Sequence, residues 1–99
     1  MLFRSSVTTI GYGAFAYCSS LTSVTIPDSV TTIAYKAFYD CSNLTSVYCK
    51  PITPPTGGFR MFDNNAPGRT IYVPMESVEA YKSASGWSNY ADDIVGYNF

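Results

Sequence analysis

Histidine is missing from all 99 residues of this chain. Its absence removes Ser-His-Asp and Cys-His nucleophilic systems, and with them the commonest nitrogen ligand for metals. A Ser-Lys pair is formally available from Lys36, Lys50 or Lys82, yet nothing marks any of the many serines as activated. Charge is also scarce. Six Lys and Arg face seven Asp and Glu, for a formal net charge of -1. No broad field therefore exists to draw a phosphate backbone or an anionic bilayer. Long apolar runs are absent too, both the seven to fifteen residues or so of a signal-peptide core and the roughly eighteen of a membrane span. The chain is expected to have no nucleic-acid partner, no membrane insertion, no cofactor and no enzymatic activity, and it shows no targeting signal of its own.

Cysteine is sparse and odd in number. Cys18, Cys41 and Cys49 do not form a disulfide framework, and none is spaced as the Cys-x-x-Cys of a zinc site. Buried, reduced thiols acting as small apolar fillers are expected. Other fragments of chemistry dissolve on inspection. Asp63-Asn64-Asn65 lacks the alternating oxygen ligands and distal glutamate of a calcium loop and reads as turn chemistry. Asp92-Asp93 reads as a solvated end, and "NLT" at residues 43–45 carries its leucine at a core position.

Repetition is what the chain does have. "VTTIGYGAFAYCSSLTSV" at residues 7–24 returns as "VTTIAYKAFYDCSNLTSV" at residues 30–47. A period of this length signals a solenoid, whose units bury their apolar faces against one another. The copies pair Ile10 with Ile33, Phe15 with Phe38, Cys18 with Cys41, Leu21 with Leu44 and Val24 with Val47. The second copy reads "AYKAF" where the first reads "GYGAF", so the glycines of the first are optional at a corner and do not form a phosphate loop. In "LTSVTIP", Val24 and Ile26 alternate with Thr25 as in one strand of a parallel sheet. "VTTI" makes a second short β-branched segment, and "AYKAFYDCS" turns the chain between them in a helical or 3₁₀ corner.

The pattern also extends outwards. Met1-Leu2-Phe3 aligns with Val24-Thr25-Ile26. Phe62 aligns with Phe38 and Ile71 with Val47 once a single extra residue is allowed in "KPITPPTGGFRM". The expected division is a partial rung at 1–6, repeats at 7–29 and 30–52, an atypical terminal rung at 53–74 and a cap at 75–99. Prolines and glycines in "ITPPTGG" weaken that last rung's ladder. In the cap, Ser77 is a candidate helix N-cap, Val78 and Tyr81 share a helical face, and Gly86 is placed to close the helix. Trp87, Tyr90 and Ile94 are spaced to pack a further helical turn on the last rung. The tail "IVGYNF" fits either a turn or a strand.

The unit carrying Leu21, Val24, Ile26, Pro27, Val30, Ile33, Ala37, Phe38 and Cys41 resembles the BspA-like (Treponema-type) leucine-rich repeat of bacterial surface proteins, and residues 71–99 resemble the cap that closes many of them. The resemblance implies a right-handed leucine-rich-repeat coil, mostly β with short parallel strands and a C-terminal helical cap. It also implies a place on the cell surface or in secreted proteins, and a role in adhesion or interaction. Cys49 and Lys50 depart from the usual Ile-Pro, and only two complete repeats are present. The methionine ahead of an incomplete repeat reads as a fragment of a longer protein, and its uncovered first rung is expected to associate end to end.

Within such a sheet the outward fifth position lines up Leu2, Thr25, Tyr48 and Tyr72, flanked by Arg69, with Lys50 near the strand ends. This column is the expected binding surface for a protein or glycan ligand. The alternative is a structural stalk or end-cap with no ligand of its own.

Overall fold

A computed structural model describes residues 6–99. The expected partial strand at Met1-Leu2-Phe3, and Leu2 with it, lies outside the described residues.

Successive side chains of a strand point to opposite faces, so Val24 and Ile26 are buried from β2 (Ser23–Ile26) while Thr25 faces outward. The same alternation governs β4 (Ser46–Cys49) and β6 (Thr70–Pro74). These strands lie parallel. Val24 faces Val47, and Val47 faces Ile71. A second, narrower parallel sheet joins β1 (Thr9–Ile10), β3 (Thr32–Ile33) and β5 (Thr56–Gly57). The ladder survives in the Pro-rich third rung because the prolines sit just ahead of it. Thr56 donates its N–H to the Thr31 carbonyl at 2.9 Å and Gly58 to that of Ile33 at 2.7 Å. Ile26 faces Cys49 and Thr32 faces Thr56, which places the single extra residue of this rung between Cys49 and Thr56.

The corner between the sheets is not helical. Its alternate N–H groups bond within the rung, Ala14 to Gly11 and Ala16 to Gly13, and between rungs, Gly13 to Tyr35 and Phe15 to Ala37. Two positions per rung take left-handed backbone to achieve this: Gly13, Lys36 and Arg60 at the first, and Tyr17, Asp40 and Asn64 at the second. Left-handed residues interrupt any helix, which is why the corner becomes a chain of turns.

The interior is a column of rings. Phe15 stacks on Phe38 at 5.4 Å and Phe38 on Phe62 at 5.5 Å, and Trp87 and Tyr90 meet Phe62 at its far end. Val24, Ile26, Leu44, Val47, Ile71 and Val73 fill the rest. Cys41 and Cys49 are buried, Cys18 is partly exposed, and all three are free thiols.

The cap begins with a 3₁₀ turn (Met75–Ser77) and the short helix α1 (Val78–Ser83). Ser77 makes no capping bond. Its hydroxyl instead donates to the Ile52 carbonyl at 2.6 Å, so the residue that looks like a cap in sequence fastens the helix to the rung below. Tyr81 donates to the Pro51 carbonyl at 2.6 Å, and the Trp87 indole to that of Pro55 at 2.8 Å. Gly86, at φ +85°, does not close the helix, which ends at Ala84. It is held against Gly57, where a Cβ would stand 2.4 Å from the carbonyl oxygen. After a second 3₁₀ segment (Ser88–Asp93), the tail resolves as strand β7 (Ile94–Tyr97), paired parallel to β6 with Ile94 opposite Ile71. The cap thus makes one more turn of the coil and adds a fourth strand to the sheet.

Three buried protons tie this cap to the acidic side of the pH scale. Burial pushes the Tyr81 and Tyr90 hydroxyls well above their ordinary range, and it pushes the Cys49 thiol, hydrogen-bonded to Tyr81 at 3.5 Å, up to about 12. Each group is neutral in the native state and loses its proton more readily when unfolded. The stability it contributes is therefore intact below its unfolded pKa and lost as pH rises through the window above, from about 9 for the thiol and about 10 for the tyrosines. Urea denaturation between pH 8 and pH 11 should show stability falling, by about 1.4 kcal/mol per pH unit for each group past its unfolded pKa. A flat profile across that range would refute the buried, neutral assignment.

Candidate interaction surface

The outward face of the main sheet gathers the side chains that the inward face excludes. Thr25, Tyr48, Tyr72 and Val95 are register partners across the four strands. Tyr48 and Tyr72 stack at 4.8 Å with their planes 11° apart, in the cross-strand position where aromatic pairs meet. Tyr97 sets its ring edgewise against both, at 5.5 and 5.4 Å, and Phe99 packs on Tyr97 at 4.8 Å. Thr25, Tyr48, Lys50, Tyr97 and Phe99 enclose a shallow hollow of about 370 Å³. Lys50 is exposed at its edge, its N–H bonded to the Ile26 carbonyl.

Four of the five described residues expected at this surface, Thr25, Tyr48, Tyr72 and Lys50, thus occupy one face. Arg69 does not join them. Its side chain is 9 % exposed and turned into the junction with the cap, where it donates to Asp93 at 2.8 Å, to the Phe62 carbonyl at 2.9 Å and to Asn65 at 3.1 Å. Its guanidinium also lies over the Tyr90 ring, and Tyr90 donates to Asp63 at 2.7 Å. Asp63 and Asp93, read from sequence as turn and solvated end, are both committed to this joint. Sequence reasoning missed Tyr97 and Phe99 because they belong to the tail whose conformation it left open. The available signal was the position of Ile94, one repeat length beyond Ile71.

Among the described residues no group of three or more His, Cys, Asp or Glu is placed to hold a metal ion, and no helix is long and apolar enough to cross a membrane. A cleft of about 400 Å³ beside residues 51–55 has one ionisable side chain on its wall, Asp28.

Short parallel strands stacked at one repeat length, an aromatic interior column and an outward polar-aromatic sheet face define a leucine-rich-repeat solenoid. A model of the BspA type leucine rich repeat region (6 copies) matches residues 1–85, and the chain belongs to that family. Repeats of this class are associated with protein interaction and are generally non-catalytic, and the family is typical of bacterial surfaces and secreted proteins. No curated protein matches the chain.

Proposed function

We propose that this chain is a non-catalytic adhesion or interaction module of a bacterial surface or secreted protein, binding a protein ligand through the outward face of its main sheet. The observation that carries this reading is the stacked Tyr48–Tyr72 pair on that face, with Lys50 beside it. Tyrosine brings a large, rigid, amphipathic contact area at small entropic cost, and for that reason it is enriched where proteins meet. Thr25 completes the column. Tyr97 and Phe99 deepen it into a hollow.

The test is the double variant Tyr48→Ala/Tyr72→Ala against a panel of immobilised extracellular-matrix proteins. Affinity for the ligand that the unaltered chain captures should drop at least tenfold, while stability falls by only about 0.5–1.5 kcal/mol for the lost ring pair. Unchanged affinity would show that the sheet face is not the binding surface. A second reading, an end-cap without a ligand, is supported by the bonds from Ser77, Tyr81 and Trp87 to the terminal rung. Under it, the unaltered chain binds nothing on the same panel.

A further inference from the structure

A second aromatic surface lies at the corner, away from the sheet. Tyr12, Tyr35 and Phe59 occupy the same position in successive rungs and form an external ladder, with ring centroids 5.1 and 5.9 Å apart. Tyr12 is 72 % exposed and Phe59 62 %. Such rings contribute little to the core, in contrast to the Phe15, Phe38 and Phe62 column a few residues on, in which Phe38 and Phe62 are buried and Phe15 partly so.

Two cations stand beside this ladder. Lys36 Nζ lies 4.5 Å from the Tyr39 ring centroid and 5.3 Å from that of Tyr35, and the Arg60 guanidinium lies 5.1 Å from that of Phe59. Among the described residues the ion pair is Arg69–Asp93, so neither Lys36 nor Arg60 is neutralised by a carboxylate. Both cations also hold left-handed backbone, φ 55° and 59°, at the position that the first rung fills with Gly13. Glycine adopts that conformation freely, and a residue with a Cβ does not. Two successive rungs therefore carry a cation with no carboxylate partner at the position where the first rung carries a glycine.

We propose that this corner binds an anionic polysaccharide, its rings packing on the apolar faces of the sugars and Lys36 and Arg60 pairing with carboxylate or sulfate groups. The corner's own backbone argues for side-chain recognition. Gly13, Lys36 and Phe38 donate their N–H groups to Tyr35, Phe59 and Met61 of the next rung, so the main chain between these rungs is already paired and the side chains are what the corner presents. One ring per rung, with a cation on each of two, is a linear array and suits a linear polymer with regularly spaced charge. Charge-assisted hydrogen bonds from the two cations supply the selectivity for acidic over neutral chains.

The experiment measures binding of the whole chain to immobilised heparin, polygalacturonate, neutral dextran and poly-glutamate. Binding to heparin or polygalacturonate is expected, weakened by salt and absent on dextran. The Lys36→Gly/Arg60→Gly variant should lose at least tenfold in that affinity while keeping or raising its melting temperature, because glycine relaxes both left-handed positions. Tyr48→Ala/Tyr72→Ala should leave it unchanged, which separates this surface from the sheet face. The proposal fails if neither polysaccharide binds, if the glycine variant binds as well as the original, or if poly-glutamate binds more tightly than both polysaccharides.

Discussion

Gly58→Ala is expected to destabilise the protein by at least about 3 kcal/mol, a large share of the roughly 5–15 kcal/mol that holds a domain of this size. A Cβ at Gly58 would stand 2.3 Å from the Ala34 carbonyl carbon and 2.4 Å from the Tyr35 nitrogen. Both are backbone atoms of the rung beneath, so no rotamer change can relieve the overlap. The rungs themselves must separate, and with them the 2.7 Å bond from Gly58 to Ile33. Gly11 provides the comparison within the same molecule. It holds the same place in the first rung, has open space where its Cβ would be, and its φ lies outside the left-handed region. Gly11→Ala should therefore change stability by less than about 1 kcal/mol, through the loss of unfolded-state freedom. Chemical denaturation of the two variants side by side decides the matter, and equal effects would refute the close approach at Gly58.

Trp87→Ala should cost about 3–5 kcal/mol, the usual penalty for deleting a large buried ring. Trp87 is fully buried, meets Phe62 at 5.9 Å and Tyr81 at 4.8 Å, and donates to the Pro55 carbonyl at 2.8 Å. It contributes packing and a hydrogen bond together, and Trp87→Phe separates them. Phenylalanine retains most of the ring but strands the Pro55 carbonyl, an unsatisfied group worth about 1–3 kcal/mol. Denaturation should rank the two variants in that order, with loss of near-ultraviolet circular dichroism from the cap's aromatic cluster in Trp87→Ala. A smaller effect for alanine than for phenylalanine would contradict the packing described.

The architecture was readable because stacking imposes a periodic demand. Val24, Val47 and Ile71 had to recur at one repeat length for parallel strands to bury the same face, and Phe15, Phe38 and Phe62 for their rings to stack. Positions that serve a single contact carry no such echo. Gly58 looks in sequence like a variant of Ala34, and only the approach of two backbones shows why a side chain is excluded there. Ser77 satisfies a capping pattern, yet its hydroxyl goes to Ile52, a residue no local rule connects to it. Arg69 has the spacing of a surface residue, but Asp93 and Tyr90 draw it inward from the far side of the cap. Tyr48 and Tyr72 were legible as neighbours because they lie on regular strands. Tyr97 and Phe99 were not, since β7 contains a glycine and starts directly from a 3₁₀ turn.

The extra residue between Cys49 and Thr56 gives the loop whose Pro51, Ile52 and Pro55 carbonyls receive Tyr81, Ser77 and Trp87. Lock and key are therefore written in different parts of the chain. The corresponding segment after Ser23–Ile26 is one residue shorter, so grafting the cap alone onto that rung sets its three donors against carbonyls in a different register. In recombination terms, the exchangeable cassette is the third rung and cap together. Repeats can be gained or lost ahead of that cassette at whole-rung steps without disturbing these three bonds.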